Sequence, residues 1–198
     1  MSRLAEAHAD WVLGLADEVW GSRLAPPERH AWAAGQPRRL QEMTLPNDDT
    51  DPKAVACDGM LRADTQEVLV RVVDGRPVSH VTTACLHWVG ERLAAEAKKA
   101  LRLGWDHASW HWRQEVRGWR RTHHRQAQQG GGVRIVVGQR PVTRPWLHRI
   151  EPHWIHAQRA VVEPGCLLSK AELISRIGSY FHCQDGEPLQ QVVAKKVA

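Results

Sequence analysis

Hydrophobic positions in this chain follow two periods, one of strands and one of helices. Leu101, Leu103 and Trp105 alternate with Arg102 and Gly104 and lead to Asp106. That period of two predicts a β-strand ending on a carboxylate. Glu67-Val-Leu-Val-Arg-Val-Val73 is rich in β-branched residues and predicts another strand. Trp11-Val-Leu-Gly-Leu-Ala-Asp17 reads as a short buried strand that also ends on an acid. Leu4, Ala7, Trp11, Val12, Leu15 and Val19 fit helical spacing as well, and Gly14 tips the choice toward strand. Arg38–Thr44 and Lys53–Leu61 are further strand candidates, and Val133-Arg-Ile-Val-Val137 is the last.

The helical period takes over between these segments. Val81, Leu86, Val89 and Leu93 predict a helix over 79–99, after a turn at Asp74-Gly75-Arg-Pro77. Trp110 to Gln129 reads as a very basic helix stopped by Gly130-Gly-Gly132. Trp146 to Val162 predicts a helix carrying Glu151, with Pro152 suited to a first turn. Ser169-Lys-Ala-Glu172 is a capping box opening a last helix through about His182. Pro26-Pro27, Gly35-Gln-Pro37 and Pro141–Pro145 break the chain. The acids of Pro46–Pro52 do not have EF-hand spacing, so that stretch predicts a solvated turn. No repeat or low-complexity linker divides the 198 residues, which predicts a single domain over 1–198. Strands first, then helices alternating with strands, give an α/β fold: a mixed sheet with helices on both faces. This is also the element order of the ribonuclease-H-like fold.

Charge narrows the partners. Between His107 and Ile150 there are nine arginines (113, 117, 120, 121, 125, 134, 140, 144 and 149) and one acid, Glu115. That span sums to +8, so with a net charge of +5 the rest of the chain sums to −3. Guanidinium groups grip phosphate oxygens in pairs, so an arginine block of this kind points to nucleic acid. Arg113, Arg117, Arg120 and Arg121 fall on one side of the predicted basic helix and are the expected phosphate contacts, with Arg144 and Arg149. No apolar run approaches the roughly 20 residues of a membrane span. The N-terminal ten residues lack the apolar core of a signal peptide. Cys57, Cys85, Cys166 and Cys183 are widely spaced, which suits free thiols in a reducing compartment. The expected location is the cytoplasm.

Three acids fall at comparable structural points. Asp17 ends the first predicted strand, Asp106 ends a later one, and Glu151 opens a helix after the next. Carboxylates converging from separate elements at a sheet edge are what hard divalent cations need. Two such ions can activate a nucleophile and stabilise the leaving oxygen of a phosphodiester.

Local motifs carry a family resemblance. Asp106-His-Ala-Ser-Trp-His111 resembles the Asp-Asn-Ala-x-x-His motif of bacterial insertion-sequence transposases of the six-thirty family, within the mariner superfamily. Pro145-Trp-Leu-His-Arg-Ile-Glu151-Pro-His-Trp154 is similar to that family's Pro-Trp-Leu-Asn-x-Ile-Glu-Pro-x-Trp motif. Asp17-Glu-Val-Trp-Gly-Ser-Arg-Leu24 is similar to its first acidic motif, and Gly75–Ser79 and Lys170–Leu173 share its character. The resemblance covers about residues 10 to 190. It implies a ribonuclease-H-like DDE catalytic domain in which Asp17, Asp106 and Glu151 hold two Mg²⁺ or Mn²⁺ ions. The implied activity is metal-dependent DNA strand cleavage and strand transfer. The implied partners are transposon ends and target DNA, and a second copy in a homodimer. His107, His111 and His148 would support the active site. His107 and His148 stand where the family usually has Asn, and Gly21 where it often has a second Trp. The family's N-terminal helix-turn-helix region is expected to be absent.

Rival readings remain beside this one. His107 with His111, and His153 with His156, have helical spacing suited to zinc, but no His-Glu-x-x-His pattern accompanies them. His123-His124 reads as a solvated or phosphate-facing pair. Of the ten tryptophans, Trp11, Trp88, Trp105 and Trp154 read as core, while Trp110, Trp112, Trp119 and Trp146 stay open between core and base stacking. A remnant that binds DNA or a partner chain without catalysis is the alternative to the enzyme.

Overall fold

A computed structural model of the chain describes residues 8–24, 44–76, 78–105, 108–139, 149–162, 166–182 and 189–190. Its elements are β1 (Trp11–Ser22), β2 (Ala54–Arg62), β3 (Val68–Asp74), α1 (Ser79–Ala95), β4 (Ala100–Trp105), α2 (Gln114–Gln128), β5 (Arg134–Gln139), α3 (Glu151–Val161), α4 (Lys170–Tyr180) and the two-residue β6 (Leu189–Gln190). A 3₁₀ turn, Ser109–Trp112, precedes α2. Residues 38–43 of the predicted second strand lie outside the described residues.

The sheet runs β5-β4-β1-β2-β3-β6. β1 is central, antiparallel to β2 and parallel to β4. The β2–β3 pair is antiparallel and the β4–β5 pair parallel. The expected α/β mixed sheet of ribonuclease-H-like order is therefore the observed one. Alternation along β1 splits its side chains between two cores. Val12 and Ala16 pack with Leu101, Leu103 and Trp105 of β4 and with Leu86, Val89, Leu93 and Val116 of α1 and α2. Leu15 and Val19 pack on the other face with Trp154, Val161, Leu173 and Ile177 of α3 and α4. β2 is buried on both faces, as a strand covered by helices on each side is.

Helix ends follow the predicted chemistry. The capping box at α4 is formed: Ser169 Oγ accepts from the Glu172 N–H, and the Glu172 carboxylate accepts from the Ser169 N–H. At the end of α2, Gly130 takes φ +88°. The Gly131 N–H donates to the Gln126 carbonyl at 2.9 Å and the Gly130 N–H to the Ala127 carbonyl at 3.2 Å, the Schellman pattern.

Two expectations need correction. Asp17 does not end its strand, because β1 continues to Ser22. The ladder with β4 stops at Leu15 opposite Gly104, while the ladder with β2 carries on from Gly14 to Ser22. One neighbour is enough to keep Glu18–Ser22 extended. The acidic turn is more than solvated surface. Asp49 receives two hydrogen bonds, of 3.0 and 2.7 Å, from the guanidinium of the buried Arg23, and Asp51 accepts from the Lys170 N–H at 2.8 Å. This cluster ties the end of β1 to the start of α4.

Candidate active site on the central strand

Two adjacent acids on β1 point to opposite faces of the sheet. Asp17 is half-buried on the α3 face, where the indole N–H of Trp154 donates to its Oδ2 at 3.3 Å. Trp154 is buried and sits one turn after Glu151, the exposed first residue of α3. One turn further on, the side-chain amide of Gln158 donates to the Ser22 carbonyl at 3.1 Å. α3 is therefore fastened along β1 at two points, and the helix bearing Glu151 rests on the strand bearing Asp17. Gly59, opposite Asp17 in the β1–β2 ladder, makes this approach possible. A Cβ there would stand 2.3 Å from Trp154 Cη2 and 2.5 Å from Cζ2, closer than real contacts allow.

Glu18 faces the other way and meets a different set. His111 Nε2 lies 2.5 Å from its Oε1, and the Trp110 indole N–H donates to the same oxygen at 3.4 Å. His111 is 1% exposed. Its ring lies against Trp105, with centroids 3.9 Å apart. Trp105 is the last residue of β4 and precedes Asp106 in sequence. Directly across the ladder from Glu18 is Asp58, 5% exposed, whose Oδ1 finds no hydrogen-bond partner among the described residues. Burial first, and the Glu18 charge second, push the Asp58 carboxyl up to about 7, with His111 pulling the other way. Glu18 and Asp58 were not anticipated as a pair. Asp58 alternates inward with Ala56 and Met60, but only the register brings it against Glu18.

The other expected site residues are distributed as follows. Asp106, His107, Arg144 and His148 lie outside the described residues, as does Trp146. Arg113, Arg117 and Arg121 are exposed and Arg120 is half-buried along α2, with no ion pair to any of them among the described residues. Burial and the neighbouring Arg117 charge lower the Arg120 pKa. Because β4 and β5 are parallel, α2 runs back across the sheet, so Arg113 stands at the C-terminal end of β4 and Arg125 at the far end. Arg149 donates to Gln66 Oε1 at 3.0 Å, in exposed surroundings.

His123 and His124 are neither solvated nor phosphate-facing. Each Nε2 donates to a backbone carbonyl at the β5 edge, His123 to Val133 O, just before the strand, at 2.7 Å and His124 to Ile135 O within it. β5 is the sheet edge, and these bonds occupy carbonyls an open edge would leave to solvent. Trp119 stacks on His123 with centroids 4.7 Å apart and packs against the core, so it is not a base-stacking surface. Trp105 and Trp154 are core as expected, Trp88 is half-buried and packs against the same core as Trp119, and Trp11 is half-buried. Among the described residues, no group of three or more His, Cys, Asp or Glu side chains could hold a metal. No described helix is long and apolar enough to cross a membrane.

No protein-family model matches the chain, and no curated protein does. Solved structures do. The Mos1 transposase paired-end complex with the left transposon end superposes with a TM-score of 0.61 at 14% identity, over 88% of this chain and 49% of that one. The Mos1 mariner paired-end complex with Mn gives 0.60 at 14% identity, over 88% and 49%. The Mos1 strand transfer complex gives 0.55 at 15% identity, over 94% and 51%. The chain spans about half the length of these relatives. At such identities the likeness establishes the fold: this chain has the mixed-sheet architecture found in the mariner transposase.

Proposed function

We propose that this chain is the catalytic domain of a DDE transposase of a bacterial insertion sequence, of the six-thirty type. It cuts DNA strands and transfers the freed ends to target DNA, acting in the cytoplasm at the nucleoid, as a homodimer on paired transposon ends. Asp17, Asp106 and Glu151 are the metal ligands. The observation that carries this reading is the docking of α3 on β1: the helix that begins with Glu151 is hydrogen-bonded through Trp154 to Asp17 itself. β4, parallel to β1 and paired with it up to Leu15, leads directly into Asp106.

The donor set fits the cation. Three carboxylates offer only hard oxygen ligands, the preference of Mg²⁺ and Mn²⁺. When bound, two such ions supply an activated water and charge stabilisation at the leaving oxygen. The chain's own part is placement. Asp17 is held by Trp154, Glu151 by the docking of α3, and the arginine stripe of α2 grips the phosphodiester backbone from the C-terminal end of β4 outward. Positioning of this kind supplies much of the rate in phosphoryl transfer.

Histidines at 107 and 148, where the resembled family has Asn, favour a second reading: a DNA- or partner-binding remnant without catalysis. Nicking of supercoiled plasmid with Mn²⁺ separates the two. The enzyme nicks, and chelator or Asp106→Asn stops it. A folded chain that binds DNA but never nicks is the remnant.

A further inference from the structure

The metal reading leaves open what sets the geometry between two ligands carried by different elements. We infer that Trp154 is a positioning residue for the metal site, one that fixes the Asp17 carboxylate and the Glu151 helix relative to each other through a single indole. The inference rests on the proposed metal role of Asp17 and Glu151.

Three observations converge on it. The first is the hydrogen bond: a neutral N–H donates to Asp17 Oδ2 at 3.3 Å. A carboxylate oxygen keeps a second lone pair when it accepts one bond, so the donor orients the ligand without consuming it. The second is the seat. The far edge of the Trp154 ring occupies the space over Gly59 where any Cβ would intrude at 2.3 Å, and Gly59 is the ladder partner of Asp17. The third is the frame. Trp154 is 7% exposed, and its ring meets Phe181 edge-on with centroids 5.5 Å apart. Ile150, immediately before Glu151, is fully buried in the same core. Residues 150 and 154 thus bracket Glu151 with packed side chains, while Glu151 itself stays exposed.

Groups that orient metal ligands in this way change metal affinity by about 10–100-fold when removed. A packing role alone would alter stability and leave metal affinity of the folded protein unchanged. The distinction is testable because the N–H can be deleted without the ring. Replacing the indole at 154 by its benzothiophene isostere removes the donor and keeps the shape. Trp154→Phe is the simpler companion, and Glu172→Ala, which undoes the capping box of α4 without touching Asp17, is the control for lost stability. The measurement is calorimetric titration of the full chain with Mn²⁺, with thermal unfolding in its absence.

Wild type is expected to bind Mn²⁺ and Asp17→Asn to lose it. The isostere and Trp154→Phe should bind about 10–100-fold more weakly while remaining folded, and Glu172→Ala should bind as wild type does. Wild-type affinity in the isostere, with Asp17→Asn still defective, would overturn the positioning role and leave the metal reading standing. Equal behaviour of wild type and Asp17→Asn would overturn the metal reading, and the positioning role with it.

Discussion

Asp17 and Glu18 are neighbours on one strand, yet the two faces of the sheet treat them differently. On the α3 face, Asp17 accepts from the Trp154 indole, on a helix whose first acid is exposed. On the α1 face, Glu18 is enclosed by His111, Trp110 and the buried Asp58. The first face places a carboxylate beside the helix that begins with Glu151, and the second encloses its carboxylates in the core. The contrast teaches that the period of two sorts not only apolar from polar residues but also chemistry from scaffold. One residue of register slip would exchange the roles.

The largest stability effect sharpening this contrast concerns Asp58. Its folded carboxyl titrates at about 7, above the ordinary value of 3.8. The folded chain therefore holds a proton that the unfolded chain has released. That stabilisation is complete below pH 4, is lost as pH rises through 7, and amounts to about 4 kcal/mol. Asp58→Asn removes the titration. Urea unfolding at pH 4 and pH 8 should show a large fall for wild type and a much smaller one for the variant. Equal falls would place the buried proton elsewhere.

Next in size is a pair of glycines, one per face. An added methyl at Gly59 meets the rigid ring of Trp154, whereas at Gly14 its closest atom is Met60 Sδ, on a flexible side chain, at 2.5 Å. Gly59→Ala is expected to cost about 1–3 kcal/mol by overpacking, and Gly14→Ala less, because a thioether can turn aside. Thermal unfolding of the two variants checks the order, and a larger loss at Gly14 would mean the α1 face is the stiffer one.

The smallest effect concerns the arginine stripe. Arg117→Glu with Arg121→Glu should weaken DNA binding and reduce the slope of log affinity against log salt by about 2. An unchanged slope would remove α2 from the DNA surface.

Much of this was readable in the sequence, for identifiable reasons. β3, β4, β5 and the α4 capping box announce themselves through short-range pattern, and the structure has them within a few residues of the expected bounds. The extent of β1 was not readable, since Asp17-Glu18 reads as a stop and only pairing with β2 keeps it extended. Nor was the Glu18–Asp58 pair, which lies 40 residues apart and depends on register. His123 and His124 looked like surface residues because nothing local reveals that β5 offers them carbonyls. Trp154 was assigned to the core from its apolar neighbours, which holds, but its second task on Asp17 needed the docking of α3.

The comparison of Asp17 with Glu18 also supplies the most direct test of the proposed activity. Supercoiled plasmid nicking with Mn²⁺ would be measured for wild type, Asp17→Asn and Glu18→Gln, with thermal unfolding of each alongside. The account predicts that Asp17→Asn stays folded and loses nicking. It predicts that Glu18→Gln loses stability, about 1.5–3 kcal/mol for a charge-assisted hydrogen bond, and still nicks where it is folded. Nicking that survives Asp17→Asn would contradict the assignment of chemistry to the α3 face.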